Sequence, residues 1–268
     1  MDRIERYFDI AIKSPDGIKK LREMILSLAM QGKLVPQDPN DPPASELLKE
    51  IEAEKKKLIK EGKIKKQDPL PPIKPEDVPY ALPAGWEWVR LGEVVEYNGR
   101  PNMLPSEILP EVWVLDLEDI EKDSSRILYR AKYSERESKS TKSVFCAGDV
   151  LYGKLRPYLN KVVVADEGGV CTTEIVPIVP CIGIFSGYLG ILLKRPDFLA
   201  YVNSKSYGVK MPRLGTTDAI MSLHPIPPLA EQKRIVDKVD ALMALCDKLE
   251  AERDARNAKR VAVQKTAL

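Results

Sequence analysis

The sequence predicts a mixed α/β (α+β) protein that ends in a long helix. Three observations carry this: apolar stripes at helical spacing early in the chain, short β-branched runs from about Leu82, and a heptad between Ile235 and Leu249. The 268 residues are 44% hydrophobic and 31% charged, more chain than one average domain uses. Three segments follow: a helical region with Pro-rich linkers at 1–81, an α/β domain at 82–228, and a helix at 229–268.

Ser14-Pro15 reads as an N-cap followed by proline at the first helical position. Ile18, Leu21, Ile25 and Leu28 then keep helical spacing, and Gly32 suits the position just past a helix end. Pro36 to Pro43 stops that helix. Ser45 caps a second one, with Leu47, Leu48, Ile51, Leu58 and Ile59 on its apolar side and Lys55 to Lys57 on a solvated face. Six prolines between Lys66 and Pro83 mark a semi-rigid linker.

Strand runs appear at Trp86–Leu91, Val112–Leu115, Val150–Tyr152, Val162–Val164 and Ile175–Val179, and Phe185–Val202 is helix-like. Pro225, Pro227 and Pro228 close the domain. Ile235, Val239, Leu242, Cys246 and Leu249 are spaced 4, 3, 4, 3. On the pattern alone such a seam packs either on the chain's own domain or on another helix.

Several classes are excluded. Residues 175–193 carry no charge, near a bilayer span in length, but Pro177, Pro180, Gly183, Gly187 and Gly190 interrupt them. Cys146, Cys171, Cys181 and Cys246 form no CxxC pair, and His224 is the one histidine, so neither a zinc site nor any other metal is expected. Scattered cysteines, with no secretory leader in MDRIERYFDI, place the chain in the cytoplasm. GDVLYGKL at Gly148–Leu155 lacks the hydroxyl residue a phosphate loop needs after its lysine. Asp197 and Lys205 resemble half of a nuclease site, but Asn203 stands where a second carboxylate is required. His224 sits among prolines and offers little as a general base. The expected reading is a non-enzyme without a cofactor of its own.

With 42 basic and 40 acidic residues, any nucleic-acid surface must come from segregated charge, not from excess. The densest string is Tyr152 to Lys161, where Lys154, Arg156 and Lys161 can meet phosphates and Arg156 and Asn160 can read base edges; Tyr152 stands beside them. A second group holds Arg136, Lys139 and Lys142, and a third Lys205, Lys210 and Arg213, interleaved with Ser204, Ser206 and Tyr207. The Tyr152–Lys161 string also reads as a strand–turn–strand with exposed charges and core aromatics, and each of the other two groups taken alone is equally well read as a solvated surface.

Four strings resemble the specificity subunit of type I restriction-modification systems. They are AMQGKLV at Ala29–Val35 with PASELL at Pro43–Leu48, LPAGWEWVRLGE at Leu82–Glu93, Gly148–Lys161 with Thr172-Thr173-Glu174, and PPLAEQKRIV at Pro227–Val236 with the heptad beyond it. The resemblance covers nearly the whole chain. It implies a target recognition domain that reads one half of a bipartite DNA site, and a coiled-coil spacer helix that docks modification subunits. The resemblance further implies no catalysis by the subunit itself. S-adenosylmethionine would bind the modification subunits, which methylate adenine, and ATP with magnesium the restriction subunits.

The chain departs from the family pattern in having one recognition domain and one spacer helix, so it is either a natural half-length subunit or half of a longer one. The expectation is a homodimer joined through Ile235, Val239, Leu242, Cys246 and Leu249, presenting the same reader twice to a symmetric site. The rival expectation is an assembly scaffold whose middle domain binds protein instead of DNA.

Overall fold

The computed structural model describes residues 14, 16–136 and 138–266, with the backbone alone beyond 259. The first helix, α1 (Gly17–Met30), buries Ile18, Leu21 and Ile25, while Leu28 stays half-buried. Pro15 lies outside the described residues, and the residue before the helix is Asp16, which makes no side-chain cap. Its end is built as expected. Gly32 sits at φ +64°, Lys33 N donates to Leu28 O at 2.9 Å and Gly32 N to Ala29 O at 3.3 Å, the paired bonds of a glycine-terminated helix. The second helix, α2 (Ala44–Lys60), ends the same way at Gly62. Ser45 is not its cap: Pro43 holds that position, and Ala44 N donates to Gly85 O at 2.8 Å. Lys56 and Lys57 pair with Glu52 and Glu54 on the outer face, but Lys55 docks its ammonium on Gly92 O at 2.9 Å. The Pro-rich linker is pinned as well, since the half-buried guanidinium of Arg90 donates to Pro71 O at 2.7 Å.

Three sheets follow. The five runs read as strands are all strands. β1 (Glu87–Arg90) pairs antiparallel with the last strand, β11 (Leu223–Ile226), and so fastens the start of the middle segment to its end. A short helix, α3 (Leu91–Val94), leads into a four-stranded antiparallel sheet in the order β2 (Val95–Tyr97), β10 (Ile175–Pro180), β7 (Val150–Gly153), β8 (Val162–Val164). The third sheet runs β3 (Asn102–Met103), β6 (Lys142–Phe145), β9 (Gly169–Thr172), β4 (Trp113–Leu115), β5 (Ala131–Lys132), with β4 and β9 parallel.

Alternation along the strands sets the layers. Trp113, Leu115, Phe145 and Cys171 of the five-stranded sheet meet Leu151, Val163 and Ile175 of the four-stranded one. The other face of the four-stranded sheet, through Val150, Tyr152, Val162, Val176 and Ile178, packs on the helices. These are α4 (Ser186–Lys194), α5 (Pro196–Lys205) and α1, and the same core takes in α2, α3, α6 (Thr216–Met221) and the final helix α7 (Leu229–Thr266). The helix expected across Phe185–Val202 is therefore two. Pro196 has no amide proton to continue α4 and forces Arg195 into an extended conformation, φ −63° and ψ 147°. No helix among the described residues is long and apolar enough to cross a membrane, and the uncharged stretch 175–193 forms β10, a turn and α4.

The heptad of α7 corrects one expectation. Ile235, Val239, Leu242 and Cys246 are buried in the same apolar core as α1 and α4, and Leu249 packs against it half-buried. The seam expected to pair with a second subunit is filled by this chain's own helices. Arg22 of α1 locks the contact with bonds to Asp247 and Glu250, each 2.7 Å. The base of α7 is held by two buried polar side chains. Glu231 accepts from the Trp86 indole at 3.0 Å and from Gln37 at 3.0 Å, while Gln232 accepts from Phe185 N at 2.8 Å and donates to Gly183 O and Pro227 O. The EQ of PPLAEQ thus ties the base of the long helix to the segments at Gln37, Trp86 and Gly183–Phe185.

Candidate nucleic-acid interface

β7 ends at Gly153, where a Cβ would come within 3.0 Å of Leu117, so the chain must pass close to the neighbouring loop. Beyond it Arg156 and Asn160 both take left-handed conformations, φ 50°, on either side of the turn Pro157–Leu159. This kinked loop is tied to a hairpin. Arg156 N donates to Pro212 O at 2.7 Å, Leu214 N to Lys154 O at 3.1 Å, and Tyr207 and Arg213 exchange backbone bonds of 3.1 and 2.9 Å. The loop 154–160 and the hairpin 207–213 therefore form one surface.

The cations expected to meet nucleic acid divide by whether they have a partner. Arg136 spans Asp116 at 2.6 Å and Asp119, which hold the guanidinium protonated far above its ordinary range. Lys142 is buried beside Asp116 at 3.1 Å. Lys161 donates to Leu117 O at 2.6 Å, and burial lowers its pKa. Arg213 makes three bonds of 2.7 to 3.1 Å to Glu174, whose carboxyl is held below its usual range by that guanidinium. Tyr152 is a core residue, 3% exposed, and burial pushes its phenol upward. Asn160 is half-buried and donates to Lys194 O at 3.4 Å. Arg136, Lys142, Lys161, Arg213 and Tyr152 are structural members of the fold, because acids or carbonyls distant in sequence already satisfy them or the core encloses them.

The remaining cations are open. Arg156, Lys205 and Lys210 are exposed, with no side-chain bond or ion pair among the described residues, and Lys154 is half-exposed, with the Glu174 carboxylate within Coulombic reach. Lys139 is exposed too, beside the ion-paired Arg136. Two features escaped sequence reasoning. Val209 and Met211 are exposed on the same surface as Tyr158 and Tyr207, against the rule that large apolar side chains are covered. Beside Lys154 lies a recess of about 210 Å³ lined by Asn98, Asn102, Ser143, Thr173 and Thr216 among others. Its amides and hydroxyls are the groups that exchange hydrogen bonds with base edges. A polar cluster drawn from five separate places in the chain leaves no signal at one place in the sequence.

No catalytic arrangement stands behind this surface among the described residues. Arg195 donates to Asp197 at 2.9 Å, to Leu223 O at 2.6 Å and to the Nδ1 of His224 at 2.7 Å. Since arginine cannot accept, Nδ1 is the acceptor and Nε2–H of His224 donates to the Ser222 hydroxyl at 2.7 Å. The imidazole is buried and neutral, its pKa driven well below 6.5 by burial and by Arg195. It is spent on structure.

Two layered sheets, a cationic face and an anchored long helix define a class: an α/β recognition module that presents a surface instead of enclosing a reaction. No protein-family model matches the chain. It is similar to the specificity subunit of the type I restriction enzyme EcoAI of Escherichia coli, 40% identical over 247 residues, covering 88% of this chain and 41% of that protein. The EcoEI specificity subunit of the same organism is 39% identical over 251 residues, again 88% and 41%. Among solved structures the HsdS subunit of Thermoanaerobacter tengcongensis aligns with a TM-score of 0.57 and 28% identity, over 70% of this chain and 50% of that one. The chain belongs to the family of type I restriction-enzyme specificity subunits, and it spans less than half the length of these two curated relatives.

Proposed function

We propose that this chain is a DNA-specificity module that reads one half of a bipartite duplex site and takes no catalytic part itself. The single observation that carries the reading is the cluster of exposed cations without ion pairs, Arg156 and Lys210 on two loops bridged by backbone bonds and Lys205 at the end of α5, with the half-exposed Lys154 beside them. Glu174, the acid within that cluster, is already consumed by Arg213. Cations without partners keep their full attraction for phosphates.

In this proposal modification subunits, carrying S-adenosylmethionine, and restriction subunits, using ATP and magnesium, supply the chemistry in the cell interior. A symmetric target requires a second reader. Residues 251–259 of α7, mostly exposed, can meet a companion, since the seam before them is filled.

A randomised duplex pool incubated with the full chain and modification subunits tests the reading. Enrichment of a common half-site supports it. Retention of the modification subunits without any enriched sequence would favour a protein-binding scaffold.

A further inference from the structure

Large exposed apolar side chains on a soluble surface call for an occupant. Val209 is fully exposed, at 101%, with Tyr207 at 62% and Met211 at 45% on either side of it. All three lie on the hairpin 207–213. The hairpin is held firmly: its ends are paired across Tyr207 and Arg213, its return strand is bonded to the 154–156 loop, and Arg213 is clamped on Glu174. Its turn depends on Gly208 at φ +98°, where a Cβ would lie 3.1 Å from Met211 O. The apolar tip is thus a presented feature of the fold.

Charge identifies what it is presented to. Lys210 on the hairpin, Lys205 at the end of α5 just before it and Arg156 on the loop bonded to it are exposed, with no side-chain bond or ion pair among the described residues, and the segment between Asp197 and Asp218 contains no acid. A protein core would leave these cations buried against nothing. A polyanion with an apolar interior satisfies both halves of the pattern. Duplex DNA is such a partner, with phosphates outside and stacked bases within.

We infer that the 207–213 hairpin is a wedge: Val209 and Met211 press between or against bases while Arg156, Lys205 and Lys210 hold the flanking phosphates. This rests on the DNA-reading proposal and adds a local unstacking of the duplex to it. Such wedges convert the energy of phosphate contacts into DNA deformation, and so make the sequence of the deformed step matter.

The test uses the full chain with modification subunits and the duplex enriched in selection, with 2-aminopurine placed at successive positions. The wild type brightens the probe at one base step. Replacing both apolar residues, Val209→Ser with Met211→Ser, abolishes the brightening and weakens binding about tenfold, with the salt dependence unchanged. Both side chains are exposed, so the double variant melts at the wild-type temperature, which separates this result from misfolding. Full affinity together with an undiminished 2-aminopurine signal in that variant overturns the wedge while leaving DNA reading intact. A variant that keeps DNA affinity but loses its modification subunits also overturns it, and reassigns the tip to a protein partner. Failure of the wild type to bind any duplex removes the DNA reading and the wedge with it.

Discussion

Replacing Arg136 by alanine separates the structural cations from the DNA-facing ones most sharply. In the fold its guanidinium is the main counter-charge for Asp116 and Asp119, and Asp119 is only 4% exposed. Removing one member of a buried pair leaves an uncompensated charge, which costs about 3–5 kcal/mol when burial is complete. Arg136 retains 19% side-chain exposure and Lys142 still faces Asp116 at 3.1 Å, so about 2–4 kcal/mol is expected. For a chain of this size that corresponds to a melting temperature lower by about 5–12 °C. Arg156→Ala should leave the melting temperature within about 1 °C of wild type, because its guanidinium holds nothing in the fold. The assay is thermal unfolding beside fluorescence anisotropy on a labelled duplex. An Arg136→Ala protein that melts like wild type yet loses DNA would refute the division, as would an Arg156→Ala protein that unfolds early.

Other consequences can be checked on purified protein. His224 is held neutral in the folded chain and its pKa is far below the 6.5 of an exposed imidazole, so the unfolded state binds the extra proton first. Stability should therefore fall as pH drops below about 6.5, and His224→Gln should flatten that slope between pH 7 and pH 5 in melting curves; parallel slopes would contradict it. Ile235→Ala removes a buried side chain from the α7 seam and should cost about 2–4 kcal/mol with no change in oligomeric state. Unchanged stability with a shift in sedimentation would return the seam to an intermolecular role. Gly32→Ala should destabilise more than Gly62→Ala. Both sit at positive φ, worth about 1–2 kcal/mol each, but only at Gly32 does a Cβ meet a neighbour, Pro83 at 2.3 Å. Equal losses would mean that Pro83 yields freely.

The sequence announced the strands that are continuous β-branched or aromatic runs, from Trp86 to Val179, and both glycine-ended helices. It hid β2, β3 and β5, which are only two or three residues long, and it hid β6, β9 and β11 for physical reasons. Lys142 is a charge buried in β6 that breaks the apolar pattern, Gly169 opens β9 where a Cβ would meet Trp113 O at 2.6 Å, and Pro225 lies within β11. The heptad of α7 correctly marked a buried face, since period alone fixes which side is covered. What covers it is α4 together with α1, the latter more than 200 residues away and tied by Arg22 to Asp247 across 225 positions. The same distance effect explains the candidate site. Lys154, Arg156 and Lys210 stood out as cations and are exposed or half-exposed, but nothing local revealed that Arg213 would meet Glu174, 39 positions earlier, or that Lys161 would be drawn onto Leu117 O. In sequence Tyr152 groups with the cations because it directly precedes Gly153 and Lys154 in the chain. Its neighbour Phe198, 6.1 Å away, belongs to another helix.

The most direct measurement is the affinity of the full chain with modification subunits for its selected duplex across a salt series, in wild type and in the Arg156→Ala, Lys205→Ala, Lys210→Ala variant. Each phosphate contact contributes a slope of about −0.9 in log affinity against log salt, so the triple variant should flatten the line by about 2–3. Identical slopes in the two proteins would show that these cations hold no phosphates, and that DNA is not what this surface grips.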